Sequence, residues 1–558
     1  MSASTLIRSL RTLANLADVR GAALESADLR RAAEIFEALP PADSDQLLQA
    51  AHDDGQHAHA GLAPSIAPLL RDPALPARLS SGATYADLPE LYAALLTHKV
   101  IGTEEASRLV RQLGVLTLPD LQAALETDRI RHMGGGPLHD RLHQGLREME
   151  TNTRPVPLGR AGDLLDALAA EISSRSSADL VTPAGDVRRF ESLVSALAIV
   201  GRSSDPPSTI DAICTMPAVE AVRHRSGRRA LIVFQQAEVD VRIAAPDEYG
   251  TFLFQATGAP RHLVGVYLRG GQARLSGREE EVYAAAGLPF IPPELRQNSG
   301  EIEAAANGRL PSLIARSHIR GDLHMHTTYS DGGDTLDAMV AACCRLGYEY
   351  IAITDHSERA AAARTLTRAD LSRQRDEIES VRARYPQITI LHGVETDIMP
   401  DGSLDFPDRI LESLDIVLAS LHDPARHDGK RLTRRCLQAI RHPLVNIVTH
   451  PANRLVGRRE GYPLDFDAVY AAAVETGTAL EVDGAPSHLD LDGEHARAAV
   501  AAGVTLTVDS DCHRARLLWK QMELGIGTAR RGWVEPRHVL NTRSIQDVRA
   551  FIAAKRSR

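Results

Sequence analysis

The sequence predicts a multidomain chain with an all-α N-terminal part, an α+β middle and an α/β C-terminal part built on a parallel sheet. Three observations predict this organisation. The 558 residues exceed the roughly 100–200 residues of one domain. The hydrophobic pattern changes near residues 150 and 318. After residue 318, short apolar runs alternate with helical segments, which is typical of consecutive strand–helix–strand units.

The first 150 residues predict helices almost throughout. They are rich in Ala and Leu, and the helical pattern is interrupted at Pro40–Pro41, Gly55 and Gly134–Gly136. We expect a helical domain over residues 1–85 and a second helical region over 86–150.

The middle of the chain, residues 151–300, contains runs typical of strands. They are ALIVFQQ (230–236), VDVRIAA (239–245) and HLVGVYLR (262–269). A Pro-rich turn at 288–295 is followed by a polar stretch, so we expect a linker at 301–317.

Composition excludes several classes of protein. The net charge is −10, so any nucleic-acid binding must come from local basic patches. The five cysteines lack CxxC spacing, which favours a reducing compartment and predicts a cytoplasmic protein. No apolar run reaches 18 residues, so we expect no membrane partner.

Residues 318–558 contain enough alternating strands and helices to predict a closed barrel. Seven apolar runs in this region each end in a histidine or an acid. Because the carboxyl ends of barrel strands lie at one face, these side chains should meet in one site. They are His324 with His326, His356, Glu395, His422, His450, Asp483, and Asp511 with His513.

This residue set predicts a metal centre. Histidine and carboxylate ligands without cysteine suit Mn, Zn or Fe, and a catalytic site needs only three protein ligands. A single histidine is more often a hydrogen-bonded core residue, but seven strand ends with the same feature argue against that reading. With Asp483 set aside, nine candidates remain, enough for two or three divalent ions that would assist phosphoryl transfer. They are His324, His326, Asp331, His356, Glu395, His422, His450, Asp511 and His513.

The segments GDLHMHTTYSDG, ITDHS, GVETDI, SLH, THPANRLVGRREGY and DSDCH resemble the PHP (polymerase and histidinol phosphatase) domain, in the version fused to bacterial family-X DNA polymerases. The resemblance implies a distorted (β/α)7 barrel over 318–558 with a multinuclear metal site at the nine candidate positions. It also implies metal-dependent phosphoester hydrolysis, often as a 3′–5′ exonuclease. Asp483 and His488 depart from the family, which usually has Asn and Arg there. Asp483 is an extra metal ligand or a hydrogen-bond acceptor behind the ligands.

Three arginines follow the fifth predicted strand of the barrel. Arg454, Arg458 and Arg459 lie in PANRLVGRRE, where guanidinium groups would bind substrate phosphates. The alternative is a surface arginine network. No catalytic residue beyond the metal ligands is indicated.

Upstream, GDVRR (185–189), VDVRI (239–243) and QATGAPRH (255–262) resemble family-X polymerases. The resemblance implies helix-hairpin-helix elements in 86–150 and a palm and thumb in 151–300. Polymerase chemistry needs three carboxylates that hold two metal ions. The family's Asp-x-Asp pair falls on Ala196 and Ala198, and only the third acid is matched, by Asp240. We therefore expect a vestigial polymerase site without activity.

Glycine-rich hairpins in this family bind DNA phosphates through backbone N–H groups. The resemblance implies a DNA partner, at gaps or 3′ ends. The candidate DNA-binding residues are Gly102, Gly134, Gly136, Arg188 and Arg189.

The sequence thus predicts a cytoplasmic, monomeric PHP phosphoesterase. Its expected activity is that of a 3′–5′ exonuclease or DNA 3′-end processing enzyme in DNA repair, carried on an inactive polymerase scaffold. Three alternatives stay open: an active family-X polymerase with an exonuclease, a small-molecule phosphatase, and a non-catalytic DNA-binding scaffold.

Overall fold

The computed structural model describes residues 127–152, 155–270, 275–360, 364–422 and 426–557, together with isolated positions between 7 and 125. Apart from those isolated positions, the predicted domain over 1–85 and the part of the predicted region 86–150 that precedes residue 127, including Gly102, lie outside the described residues. The chain divides into two compact units. The N-terminal unit comprises residues 1–155, 161–188 and 195–309, and the barrel unit comprises 156–160, 189–194 and 310–558.

The N-terminal unit contains a mixed five-stranded sheet in the order β2-β4-β7-β6-β5. Strand β4 pairs parallel with β7, and the other neighbours are antiparallel. Gln235 and Gln236 both have positive φ between β6 and β7, as a two-residue hairpin turn requires. The short strands β1 and β3 pair with each other in the barrel unit. The bounds are β1 Val156–Pro157, β2 Leu180–Ala184, β3 Leu193–Val194, β4 Leu197–Arg202, β5 Ala221–Arg225, β6 Arg229–Phe234 and β7 Ala237–Ala244.

Eight helices accompany these strands in the described part of the chain. The prediction of a strand at HLVGVYLR was wrong, because residues 260–270 form a helix. Pro260 occupies its first turn, and Leu263 and Val266, three residues apart, are buried on one side. The bounds are α1 Arg129–Asn152, α2 Leu158–Arg175, α3 Gly185–Arg188, α4 Pro206–Cys214, α5 Tyr249–Thr257, α6 Pro260–Gly270, α7 Glu279–Ala285 and α8 Glu301–Ala306.

The structure describes one predicted turn and the predicted linker. Helix α1 is interrupted at Gly135, whose φ of 80° and ψ of 169° are not helical, inside the predicted glycine-rich turn. The predicted linker 301–317 begins as helix α8. Glu301 in this helix is fully buried, and its Oε1 lies 2.6 Å from His262 Nδ1. The division between the two units therefore falls later, after residue 309.

The barrel unit contains seven parallel strands in chain order from β8 to β14. An isolated parallel bridge between Met325 and Cys512 joins the chain after β8 to the chain after β14, so the sheet is nearly closed. The predicted parallel barrel is thus confirmed. The bounds are β8 Gly321–Asp322, β9 Tyr350–Ile353, β10 Thr389–Asp397, β11 Ile416–Ser420, β12 Ile447–Thr449, β13 Ala479–Asp483 and β14 Leu506–Asp509.

Helices connect the barrel strands. Strands such as β9 and β11 are buried at every residue, which explains their continuous apolar runs. Side chains cap several helices, as Thr335 does for the Ala338 N–H. Among the described residues, no helix is long and apolar enough to cross a membrane. The bounds are α9 Leu336–Arg345, α10 Arg368–Arg384, α11 Asp408–Leu411, α12 Gly429–Arg441, α13 Phe466–Thr476, α14 Gly493–Ala502, α15 Leu518–Arg531 and α16 Ile545–Arg556.

Candidate metal centre

The nine candidate ligands gather at the carboxyl ends of the barrel strands. Most of them follow a strand by a few residues, and Glu395 lies near the end of β10. Their ligand atoms form three groups in which all atoms lie within 4.8 Å of one another. The groups are His326, Asp331, His356 and His513; His324, His326 and Asp511; and Glu395, His422 and His450.

Glu395 lies at the centre of several imidazoles. Its Oε2 is 2.7 Å from His356 Nδ1 and 3.5 Å from His324 Nε2. Yet neither Glu395 Oε2 nor His356 Nδ1 makes a hydrogen bond of acceptable geometry, although both are buried. Buried polar atoms are nearly always hydrogen-bonded. Atoms that converge without hydrogen bonds have the arrangement expected around a cation.

The HxH pair meets an acid at the same face of the barrel. His324 Nε2 and His326 Nε2 are 3.2 Å apart, and Asp511 Oδ1 is 3.0 Å from His326 Nε2. The other ring nitrogen of His326, Nδ1, is buried without a hydrogen-bond partner. Asp331 Oδ1 is 3.2 Å from His513 Nε2 and also lacks a hydrogen-bond partner. The donor set and its unpartnered atoms therefore fit divalent metal ions.

The electrostatics keep the carboxylates in the ionised form that binds metals. Burial alone would raise the pKa of Glu395, but His356 and His324 hold it well below its usual range. Burial likewise opposes ionisation of Asp331, yet the nearby imidazoles of His513 and His356 lower its pKa to about 2. Burial lowers the pKa of His326 to about 4, with help from the adjacent imidazoles of His513 and His356.

The backbone is strained at two of the candidate ligands. His450 has φ of 26° and Asp511 has φ of 47°, in the left-handed region that residues with a Cβ rarely adopt. Such conformations concentrate at functional sites, where the surrounding structure enforces them. Here they turn two side chains into the cluster at the ends of β12 and β14.

Sequence reasoning missed two acids that orient the histidines. Glu481 Oε1 accepts a hydrogen bond from His324 Nδ1 at 2.7 Å. Asp397 Oδ1 accepts one from His422 Nδ1 at 2.8 Å. Both bonds leave Nε2 with its lone pair for a metal. A signal was present, because Glu481 precedes Asp483 by two residues and Asp397 follows Glu395 by two, and such residues share a strand face.

Asp355 organises the loop between His326 and Asp331. Its Oδ1 accepts the N–H groups of Thr327 and Ser330, at 2.7 and 3.1 Å. Its Oδ2 accepts the Gln374 side-chain N–H at 2.6 Å. This buried carboxylate therefore fixes the turn that carries Asp331 toward the histidines. Sequence reasoning did not identify it, although it directly precedes His356.

The three predicted phosphate-binding arginines line one cavity of about 700 Å³ in the barrel unit. Arg454 Nε donates to His488 O at 2.9 Å, and Arg459 Nη2 donates to Asn453 O at 2.7 Å. Arg458 is exposed. Two of the three guanidinium groups thus hold the surrounding loop, and phosphate binding by the three arginines stays a prediction.

The predicted vestigial polymerase residues lie in the sheet of the N-terminal unit. Ala198 on β4 stands directly beside Asp240 on β7, and Ala196 immediately precedes β4. Asp240 accepts hydrogen bonds from Arg229 Nε at 2.7 Å and Arg242 Nη2 at 2.7 Å. Burial would raise the pKa of Asp240, but the two arginines lower it to about 2. This carboxylate is neutralised by guanidinium groups.

None of the candidate DNA-binding residues belongs to a ligand group of the metal centre. Arg188 binds Glu279 through both terminal nitrogens, at 2.9 and 2.6 Å, and is largely buried. Arg189 is also buried. Gly134 and Gly136 flank the break in α1, and a side chain at Gly136 would have no atom within 4 Å.

This chain is similar to known proteins both in one domain and over most of its length. The PHP domain model matches residues 322–456. The DNA polymerase/3′-5′ exonuclease PolX of Bacillus subtilis (strain 168) is 32% identical over 488 residues, which cover 84% of this chain and 85% of that protein. A probable phosphatase of Thermoanaerobacter sp. (strain X514) is 33% identical over 204 residues, or 34% of this chain and 78% of that protein.

Among solved structures, the histidinol phosphate phosphatase HisK of Lactococcus lactis, described as complexed with Zn, L-histidinol and phosphate, is similar with a TM-score of 0.30 and 16% identity. The match covers 38% of this chain and 93% of that one.

The barrel and its sequence match define a protein with a PHP domain. The identity with the Bacillus protein extends over most of both chains and includes the part before the barrel. This chain therefore belongs to the PolX family.

Proposed function

We propose that this protein is a metal-dependent phosphoesterase that acts on DNA 3′ ends, as a 3′–5′ exonuclease or 3′-end processing enzyme in DNA repair. The observation that carries the proposal is the convergence of nine histidine and carboxylate side chains with buried, unpartnered ligand atoms. Two or three divalent ions would supply Lewis acidity for phosphoester hydrolysis there. The proposed ligands are His324, His326, Asp331, His356, Glu395, His422, His450, Asp511 and His513.

The chain's own residues would prepare the site for these ions. Glu481 and Asp397 fix the tautomers of His324 and His422, so that Nε2 faces the cluster. Glu395 and Asp331 stay ionised at neutral pH because imidazoles surround them. We propose no catalytic residue beyond the ligands.

The arginine-lined cavity would bind substrate phosphates. Arg458 is exposed, while Arg454 and Arg459 are held in place by backbone carbonyls. A guanidinium fixed in this way binds a phosphate with little loss of side-chain freedom. Arg454 also connects the cavity to the metal centre, since His488 contacts its backbone and stacks on His450 at a ring distance of 5.2 Å.

The name of the Bacillus relative, a polymerase and 3′-5′ exonuclease, favours DNA as the substrate. In this chain we propose that the glycine turn of α1, with Gly134 and Gly136, and Gly102 outside the described residues, contact DNA phosphates through backbone N–H groups. Arg188 and Arg189 are further candidates, but Arg188 would first have to leave its ion pair with Glu279. We also expect a cytoplasmic monomer.

We propose further that the polymerase site is inactive. Two metal ions need several carboxylates, but Ala198 stands beside Asp240 and Ala196 precedes the same strand. The oxygens of Asp240 already accept guanidinium N–H groups from Arg229 and Arg242. Glu191, the nearest acid in sequence, binds Arg531 at 2.7 Å within the barrel unit. These pairs leave no carboxylate cluster for Mg²⁺ among these residues.

A second candidate function is a small-molecule phosphatase. It is favoured by the relatives that match about a third of this chain and are named probable phosphatases. A retained polymerase activity and a purely structural DNA-binding role are less well supported, because of the alanines in the palm and because of the unpartnered ligand atoms in the barrel.

The test is a gel assay of a 5′-labelled gapped primer–template with Mn²⁺, with and without dNTPs. We expect the primer to shorten, and not to extend when dNTPs are added. The double variant His324→Ala/His326→Ala should abolish shortening because it removes two ligands from the cluster.

His442→Ala is the matched control, because this histidine of the barrel unit pairs with Asp408 and joins none of the ligand groups. Primer extension would contradict the inactive polymerase. No shortening, together with hydrolysis of p-nitrophenyl phosphate or histidinol phosphate, would instead support the phosphatase.

A further inference from the structure

A fourth group of ligand atoms adjoins the nine residues of the proposed centre. Asp483, His488 and Asp511 place one potential ligand atom each within 4.8 Å of the others. Asp511 belongs to the nine, but Asp483 and His488 do not. All three residues lie at the ends of the neighbouring strands β13 and β14 or just beyond them.

Asp483 has one satisfied and one unsatisfied oxygen. It is the last residue of β13 and has no exposed surface. Its Oδ1 accepts the Ala485 N–H at 2.6 Å, whereas Oδ2 is buried without a hydrogen-bond partner. A buried carboxylate oxygen left unpaired is costly unless a cation or a donor faces it.

His488 is held in the tautomer that a metal ligand requires. Its Nδ1 lies 3.0 Å from the carbonyl oxygen of Arg454, and because a carbonyl only accepts, Nδ1 must carry the proton. The lone pair is therefore on Nε2. Arg454 Nε donates back to His488 O at 2.9 Å, and the ring stacks on His450 at an interplanar angle of 22°. These contacts fix the ring without using Nε2.

Asp511 connects this group to the rest of the centre. Its Oδ1 is 3.0 Å from His326 Nε2 and 3.6 Å from His324 Nε2. A carboxylate has two oxygens, so Asp511 is able to bridge two neighbouring cations, as carboxylates do in multinuclear sites.

We propose that Asp483, His488 and Asp511 bind an additional divalent cation beside the one served by His324 and His326. Two carboxylates and one imidazole suit Mn²⁺, Zn²⁺ or Fe²⁺, and three protein ligands leave positions open for water or a phosphate oxygen. This inference rests on the proposed metal centre, because Asp511 is part of it. The competing role for Asp483 is that of a hydrogen-bond acceptor only.

The experiment counts metal ions on the full-length chain. The protein is stripped with a chelator, dialysed against saturating Mn²⁺, freed of unbound metal, and analysed by mass spectrometry for ions per chain. Asp483→Asn and His488→Gln should each bind one ion fewer than the wild type. Asp405→Asn is the control, since it makes the same chemical change at an acid with a buried side chain that pairs with Arg359 and joins none of the ligand groups.

The number of ions bound by the wild type and the variants separates the possible outcomes. Equal numbers in the wild type and both variants would overturn the additional site and leave Asp483 as an acceptor. A wild-type chain without ions would instead overturn the proposed metal centre, and this site with it. If Asp483→Asn unfolds, the test uses His488→Gln loaded with Co²⁺. Loss of one ion would lower the visible Co²⁺ absorption per chain. An unchanged spectrum would contradict the site.

Discussion

The barrel unit and the N-terminal unit both carry acids on or near their sheets, but the oxygens of these acids have different partners. In the barrel unit, Glu395 and Asp331 each keep a buried oxygen without a hydrogen-bond partner among several imidazoles. In the N-terminal unit, Asp240 accepts hydrogen bonds from two arginines. The oxygens in the barrel unit are therefore available to cations, whereas those of Asp240 already contact the positive charges of the two arginines.

The difference shows that a carboxylate in the expected place does not make a metal site. What matters is whether the neighbouring groups bind a cation together with the carboxylate or occupy the carboxylate in place of the cation. Imidazoles lose their proton and become ligands, but arginine stays protonated and occupies the carboxylate. The two units thus illustrate a site suited to metals and one that has been neutralised. Four predictions test this contrast.

The largest effect should follow from changing Glu395 to Gln. The amide keeps the shape but loses the charge that several imidazoles face, so metal binding and hydrolysis should fall together. We expect metal affinity and activity to fall by more than about 100-fold, beyond the 10–100-fold typical of residues that only support a ligand. Hydrolysis of the labelled primer and the number of bound ions measure the effect. Normal metal content with normal activity would contradict the arrangement proposed here.

A smaller loss is expected for Glu481→Gln. The change removes the carboxylate that fixes the His324 tautomer and accepts the His450 N–H at 2.8 Å. Affinity for Mn²⁺ should drop by about 10–100-fold while saturating metal restores most activity. A metal titration of activity distinguishes this from a lost ligand, which added metal would not rescue. An unchanged titration curve would show that Glu481 has no orienting role.

Asp240→Asn should affect stability and leave hydrolysis unchanged. Because the pKa of Asp240 is lowered from 3.8 to about 2 in the folded chain, ionisation stabilises the fold above about pH 4. That contribution, about 2 kcal/mol by linkage, is lost as the pH falls toward 2. The variant should therefore melt at a lower temperature than the wild type at pH 7, and the difference should shrink on acidification.

Asp179→Asn is the matched control for this prediction, because Asp179 pairs with Arg202 but is 59% exposed. Its effect on melting should be smaller, as for other surface ion pairs. A large loss of hydrolysis in Asp240→Asn would contradict the proposal that hydrolysis takes place at the metal centre of the barrel unit.

The smallest effect is expected for Arg458→Ala. The side chain is exposed at the cavity, so its contact with a phosphate would be screened by salt. DNA binding should weaken a few-fold, and the dependence of affinity on salt should decrease by about one counterion. Fluorescence anisotropy at several salt concentrations measures both, and Arg434→Ala, an exposed arginine outside the cavity, is the control. An unchanged salt dependence would show that Arg458 does not contact a DNA phosphate.

Periodicity and residue type were sufficient for the barrel and for the gathering of its nine candidate ligands. Strand–helix alternation defines a parallel sheet, and the carboxyl ends of its strands necessarily lie at one face. The same reasoning failed at residues 262–269, where an apolar run fits both a strand and a buried helix. There the proline at 260 and packing within the N-terminal unit decided for the helix.

By itself, then, the sequence determined which side chains reach the carboxyl face of the barrel and which acids the polymerase-like part lacks. Only the tertiary structure decided how those side chains are paired. Glu481 meets His324 across 157 positions of the chain, and Asp240 meets Arg229 across a hairpin. The nitrogen that His488 leaves available is set by a carbonyl 34 residues away. Such pairings depend on strand register and ring orientation, which periodicity along the chain does not encode.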